Sequence, residues 1–340
     1  MNLHVRDVTT MPSMPSPPLN ELVQRLRSAP AWMRKADLTL ISDGPLRLAD
    51  DVGDDAVAVA DDAGFLLLAA EAMWPPLVES EPELAGEYAV LANVNDVYAM
   101  GGRPIAILDT LVGTDADQAT AILRGLRAGA RRYAAPLLGG HLTLGATEAS
   151  LGVFITGRAK SLLSGRAAQA GDALLLLTAR RGQFHERFPF WNCSDDRTDA
   201  ELRADLEILP AIAEAGECDA GRDVSMPGVL GSALQFLEGS GVGADIDLGA
   251  LPFPPESAGR ELDWLLSFPS YAFLLSVAEA AVHRVDARAR ARGRVCARIG
   301  RVVAARRVDL MQGDERARLW DFEHEPFTGF GAPKGLPGTD

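Results

Sequence analysis

The stretch that decides the fold is ANVNDVYAMGGRP, residues 92–104. It reads as the end of a helix over 83–100 that is apolar on nearly every side, so the helix should be packed all round rather than lie on a surface. It nevertheless carries Asn93 and Asp96 and stops at Gly101-Gly102 before Arg103-Pro104. Residues at i and i+3 share a helix face. An amide and a carboxylate are therefore expected to point the same way out of a buried segment, and something has to satisfy them.

The flanking segments supply a frame. DAVAVADDAGFLLLAAEAM, residues 55–73, is apolar on both sides of the turn Asp61-Asp62-Ala63-Gly64 and reads as a hairpin of buried strands. A strand at 104–113, a helix at 115–132 and the strand ASLGVFITGRA at 149–159 follow. This irregular alternation fits an α/β or α+β domain with a mixed sheet. RAAQAGDALLLLTA, 166–179, looks like a new start, which puts a boundary near 160–168. The first domain is then 19–163, the second 164–310, and 311–340 a C-terminal tail. Within the second domain the pattern predicts a helix at 199–215 and strands in YAFLLSVA and RVCARIGRVV. Upstream, residues 1–18 hold four prolines and read as a flexible lead-in. A helix is expected from Leu19 to about Arg34, and a short strand or turn-bound segment at 38–42.

Composition narrows the function. With 340 residues, 47% hydrophobic and 24% charged, the chain has room for two cores and the make-up of an ordinary globular protein. A net charge of −14 argues against nucleic-acid or anionic-membrane partners. No apolar run reaches the ~18–20 residues of a membrane span, and no basic flank precedes an apolar core, so a cytoplasmic protein is expected. Cys193, Cys218 and Cys296 are widely spaced and read as reduced thiols. His4, His141, His185, His283 and His324 have no metal-site spacing.

The chemistry concentrates in the acids. VGDDAVAV, 52–59, sets Asp54 and Asp55 just before a strand, which suits Mg²⁺ or a solvated turn. Glu71 ends the partner strand, and antiparallel neighbours lie about 5 Å apart. Asp54, Asp55, Glu71 and Asp96 are thus expected to converge. Clustered acids repel unless a cation neutralises them, so a divalent metal answers the opening question, with Asn93 orienting a phosphate or a water. Gly139-Gly140 beside His141 marks a close backbone approach, and His141 is a ligand, a phosphate contact or a satisfied core histidine. Gly239, Gly241 and Gly243 in EGSGVGAD could cradle an anion, but they follow a helix, which weakens any dinucleotide-binding reading. The only lysines are Lys35, Lys160 and Lys334, and none completes a P-loop. No GxSxG occurs. Residues 181–197, RGQFHERFPFWNCSDDR, either line a substrate pocket or form a buried insertion.

Taken in order, GDDAVAV, NVNDVYAMGGRP, GGHLTLGATEASLGVFITG, AAQAGDALLLLT, GSGVGADID and ARIGRVV resemble the aminoimidazole ribonucleotide (AIR) synthetase superfamily over about residues 45–305. That superfamily also holds selenophosphate synthetase, thiamine-monophosphate kinase, formylglycinamidine synthase and a hydrogenase maturation factor. The resemblance implies two α/β domains, the first dimerising through its mixed sheet into a barrel, with Mg-ATP in the cleft. Asp54 and Asp55 match the acidic metal-binding pair, Glu71 falls where an Asp is usual, and Asp96 with Asn93 matches the pair of the helix motif. GGHLT places Gly139, Gly140 and His141 at an active-site position, Gly53 adjoins the acidic pair as a cofactor position, and Asp223 opens the second domain's active-site motif. No Cys precedes Cys193, so selenium chemistry is not expected, and Met226 replaces a second Asp of the kinase motif. The best fit is an AIR-synthase-related branch with a different phosphoryl acceptor. The expectation is a homodimer that uses ATP and Mg²⁺ to pass the γ-phosphate to an oxygen of a small-molecule substrate, as a kinase or as a ligase or cyclase. Its rival is a degenerate nucleotide-binding homodimer or a scaffold subunit.

Overall fold

A computed structural model describes residues 18–42 and 52–331. The lead-in expected over 1–18 lies, but for Pro18, outside the described residues. Leu19–Arg27 (α1) and Pro30–Met33 (α2) replace the single helix expected there, because Pro30 cannot continue the hydrogen-bond ladder of α1. A 3-10 turn at Arg34–Leu38 leads to Thr39–Ser42 (α3), so the segment 38–42 is helical and not extended.

The first sheet is built from Val57–Asp61 (β1), Gly64–Ala72 (β2), then, after helices Pro75–Ser80 (α4) and Pro82–Ala99 (α5), Arg103–Gly113 (β3). Ala116–Arg132 (α6), Leu137–Leu144 (β4) and Ser150–Ala159 (β5) complete it. The strand order is β1-β2-β5-β3-β4, antiparallel except for β3 and β4, which α6 links as a crossover. Asp115 caps α6 by accepting the Gln118 N–H at 2.8 Å. Helices α5 and α6 lie together on one face, so close that a β-carbon at Gly125 would fall 1.9 Å from the Glu83 carbonyl oxygen.

The opposite face of this sheet is bare. Val57, Val59, Leu68, Leu108 and Phe154 are each 40–56% exposed there. The hairpin strands expected to be buried are therefore covered on one side at most, and β1 is an edge strand.

The chain enters the second sheet at Ala173–Thr178 (β6). Gln183–Phe184 (β7), Phe190–Asn192 (β8), Asp199–Leu206 (α7), Ile208–Glu214 (α8), Ala220–Asp223 (β9), Gly228–Ser240 (α9) and Gly243–Asp247 (β10) follow. Glu261–Leu265 (α10), Phe268–Pro269 (β11), Ala272–Val277 (β12), Val282–Ala291 (α11), Val295–Val303 (β13), Arg307–Gln312 (β14) and Glu315–Asp321 (β15) end it. The order is β15-β14-β10-β13-β6-β12-β9, with β10 and β14 the parallel pair, while β7, β8 and β11 form a small separate sheet. Strands β6 and β12 are buried at every residue, as central strands covered on both faces must be. The helix expected at 199–215 is two helices, α7 and α8. The segment expected as a tail from 311 contributes the edge strand β15 and stays packed beyond it, so the second domain extends past 310.

Two features position the site. Helix α5 packs against β2, β3 and β5 on one side and against β9 and α8 on the other, which is why it is apolar all round. Helices α1 and α2 pack on the second domain rather than on the first: Arg27 donates to the Leu319 carbonyl at 3.1 Å, and Trp32 Nε1 donates to the Pro227 carbonyl at 2.8 Å. Trp32 also meets Trp320 and Phe327 edge-on. Among the described residues, no helix is long and apolar enough to cross a membrane.

Candidate active site

Three acids from three elements meet where α5 passes between the sheets. Asp55 comes from the loop before β1, Asp96 from the last turn of α5, and Asp223 from the end of β9. One carboxylate oxygen of each lies within 4.8 Å of the other two. Asp55 accepts the backbone N–H of Asp223 at 3.0 Å and pairs with Arg222 at 3.2 Å, which ties the first domain's loop to the second domain's strand. Arg222 also donates to the Gly53 carbonyl at 3.1 Å. Glu71 shares the same wall from β2, facing the α5 side like Leu67, and Lys35 approaches from the turn after α2.

Burial of like charges sets the electrostatics. Burial pushes the Asp55 carboxyl well above the usual carboxylate range, with Arg222 opposing and Asp223 and Asp54 adding to the rise. Asp96 is raised well above it by burial and then by Glu71, Asp223 and Asp55. Burial raises Asp223 to about 6 against the pull of Arg222. Glu71 is open to solvent across the cleft, yet the protein around it raises its carboxyl, with Lys35 opposing and Asp55 reinforcing. Lys35 is lowered by burial and by Arg222. Three clustered carboxylates against one contacting guanidinium leave an excess of negative charge. An all-oxygen donor set of this kind suits a hard divalent cation such as Mg²⁺, and Asp55, Asp96 and Asp223 are the residues that would hold it.

Other expected site residues lie elsewhere. Asp54 is not part of the cluster: it accepts from Ser164 Oγ at 2.5 Å and from the Gly165 N–H at 2.8 Å, and so fastens the connection between the domains. The bend before β1 turns Asp54 toward residues 164–165 and Asp55 toward the cleft. Asn93 does not face the cleft either. It is fully buried and donates to the Ala89 carbonyl at 2.9 Å, whereas Tyr88, Ala92 and Asp96 form the cleft-facing row of α5. Gly53, at φ +110°, is packed under Phe330, whose Cγ a β-carbon would meet at 2.6 Å. Gly139, Gly140 and His141 lie on β4, away from the acids of the same chain. His141 is exposed, opposite Thr110 of β3, with Nε2 3.2 Å from Thr143 Oγ1. A separate 560 Å³ cleft between α6 and β4 includes His141, Asp109, Arg127 and Arg131. Gly241 ends α9 in the left-handed conformation and Gly243 lies against Arg307, so that run terminates a helix rather than forming an anion cradle. Within residues 181–197, Phe190 lines the acid cleft, and Trp191 and Cys193 are buried.

Three residues escaped the sequence reading. Lys35 offered only its rarity as a signal. Arg222 offered its place next to Asp223. Asn95, directly before Asp96, is 1% exposed and neither of its side-chain polar atoms has a hydrogen-bond partner among the described residues.

Comparison with known proteins matches this architecture. Residues 53–159 match the model of the AIR synthase related protein N-terminal domain, and residues 137–312 that of its C-terminal domain. The chain is 42% identical over 321 residues to an uncharacterised protein of Synechocystis sp., covering 92% of this chain and 98% of that one. It is 30% identical over 242 residues to a selenide, water dikinase of Aeromonas salmonicida, covering 65% and 67% respectively. Among solved structures, T. maritima PurL complexed with ATP superposes with a TM-score of 0.70 at 17% identity, over 94% of this chain and 54% of that one. The chain belongs to the AIR synthase related family, with the two-domain fold that its relatives share.

Proposed function

We propose that this protein is a Mg²⁺-dependent, ATP-using enzyme that transfers the γ-phosphate to an oxygen of a small-molecule substrate. The observation that carries the reading is the meeting of Asp55, Asp96 and Asp223 in one buried cluster at a cleft. A divalent ion held there would neutralise charge that develops on the transferring phosphoryl group. The relatives named above include a dikinase and a protein complexed with ATP, which supports nucleotide use.

This chain's own residues divide the remaining work. Arg222 fixes Asp55 and so sets the spacing of the acids. Lys35 places a cation on the acceptor side of the cleft. Glu71 stands outside the tight group of three, and its raised carboxyl suits a general base that takes the acceptor proton. The acceptor oxygen–phosphorus bond forms as the β–γ bridging bond breaks, and ADP leaves with the electron pair. His141 and Thr110 stand on the bare sheet face, which supports a homodimer in which two such faces pair and enclose them.

The test is ATP turnover with Mg²⁺ by the purified chain and by Asp55→Asn and Asp96→Asn. Both variants are expected to fold and to lose turnover at least 100-fold; turnover equal to that of the unaltered chain refutes the assignment. A non-catalytic nucleotide-binding dimer is the second reading, favoured by Met226 on the cleft wall where the resemblance leads one to expect Asp. Under that reading ATP binds with Mg²⁺ and is not consumed.

A further inference from the structure

Past residue 312, where the match to the C-terminal domain ends, the chain returns to the site. Residues 327–331 cross the end of α9, where Glu238 is 2% exposed. Its carboxylate accepts the backbone N–H groups of Phe327 and Thr328 at 2.8 Å each, that of Gly329 at 3.3 Å, and the Thr328 hydroxyl. Hydrogen bonds to a charged group are the strong ones, and three consecutive residues supply four of them here. Gly331 lies so close that a β-carbon there would fall 1.7 Å from the Glu238 carbonyl oxygen, and its own carbonyl accepts from Arg306 at 2.7 Å. The segment is thus clasped to α9, and it bears on two others. Phe330 covers Gly53, whose carbonyl accepts from Arg222, the ion-pair partner of Asp55. Phe327 meets Trp32 edge-on at 5.6 Å, three residues before Lys35.

We infer that this C-terminal clasp positions two groups of the acid cleft at once: Glu238 holds residues 327–331, Phe330 then sets the loop that delivers Asp55, and Phe327 the helical segment that delivers Lys35. Glu238, Phe327 and Phe330 are positioning residues, and none of them lines the cleft. Both delivering segments are short: residues 52–56 form a turn and a bend, and Arg34–Leu38 is a 3-10 turn. Such segments have few contacts of their own and take their direction from what packs on them. A site group has to be held to within about 0.5 Å of its working place, so a loosened clasp is felt in the cleft. Arg27 tightens the same join through its ion pair with Glu325 at 2.5 Å. The metal role of Asp55 rests on the phosphoryl-transfer reading; the placement of Lys35 does not.

The experiment compares the full chain with Phe330→Ala, Phe330→Leu and Glu238→Gln, each well below its melting temperature and without nucleotide. Electron paramagnetic resonance measures the affinity for Mn²⁺, which takes the same oxygen ligands as Mg²⁺. Mass spectrometry measures how fast acetic anhydride acetylates Lys35, against the exposed Lys160 of the same chain. Phe330→Ala is expected to weaken Mn²⁺ at least fivefold and Phe330→Leu, which refills most of the space over Gly53, less than twofold. Glu238→Gln is expected to weaken Mn²⁺ at least fivefold and to raise acetylation of Lys35 at least fivefold relative to Lys160. Thr328→Val, which removes one donor to Glu238, serves if Glu238→Gln does not fold. A segment that only stabilises the fold would lower melting temperatures and leave both readings at the parent's values. Unchanged Mn²⁺ affinity in Phe330→Ala, or unchanged Lys35 acetylation in Glu238→Gln, overturns the inference. A parent chain that binds no Mn²⁺ refutes the metal reading instead, and acetylation of Lys35 then decides the clasp.

Discussion

Replacing Asp223 by Asn should stabilise the metal-free protein while removing its response to metal. In the fold, Asp223 is 3% exposed and its carboxyl is raised from an ordinary 3.8 to about 6. A displacement of that size corresponds to a cost of about 3 kcal/mol when the group is ionised. The lost attraction to Arg222 takes back part of the gain, so the net benefit of Asp223→Asn at pH 7.5 is about 1–2 kcal/mol, or a rise in melting temperature of about 2–5 °C. The sign follows from protons bound: between pH 4 and 6 the folded Asp223 holds a proton that the unfolded chain has released, so stability falls as pH rises through that window. The advantage of the variant should therefore shrink by pH 5, where the native carboxyl is mostly protonated. Differential scanning calorimetry in EDTA at pH 7.5 and pH 5 measures both, and Mg²⁺ titrated into the pH 7.5 samples should stabilise only the unaltered chain. A variant no more stable than the parent at pH 7.5 would show that burial does not penalise the ionised Asp223, and one equally responsive to Mg²⁺ would show that Asp223 does not hold the cation.

Asp54→Ala should cost about 2–3 kcal/mol in urea unfolding, since Ser164 and Gly165 lose their acceptor. It should keep its stabilisation by Mg²⁺, and loss of that response would return Asp54 to the metal set. Gly53→Ala should cost about 2–3 kcal/mol in the same assay, because a β-carbon at φ +110° also meets Phe330, and an unchanged midpoint contradicts the packing. Phe154→Arg, in the centre of the bare sheet face, should convert a dimer to a monomer in sedimentation velocity. A parent chain that already sediments as a monomer refutes the pairing.

Much of the frame was legible because its signals are local. The all-round apolar helix at 83–100 could only be a helix enclosed on several sides, and α5 is that helix between two sheets. The hairpin turn was written in short-range chemistry. Asp55 and Asp96 were legible as acids at element ends, and Asp223 through the family resemblance alone. Which of Asp54 and Asp55 turns inward was not, since that depends on the direction of a single loop. Lys35 was invisible because α1 and α2 leave their own domain to pack on β15 and Pro227, a tertiary choice that no periodicity encodes. The place of Asn93 was misjudged for a geometric reason. Its amide turned back to the Ala89 carbonyl, one turn earlier on its own helix.

The most direct test of the account is a thermal titration with ATP in Mg²⁺, in EDTA, and with Mg²⁺ alone. A ligand that binds only the native state at 100 times its Kd adds about 2.7 kcal/mol of stability. The account predicts a rise in melting temperature with ATP and Mg²⁺ together that exceeds the rise from either one, and that Asp96→Asn abolishes. No shift at millimolar ATP, or the same shift in EDTA, would contradict it.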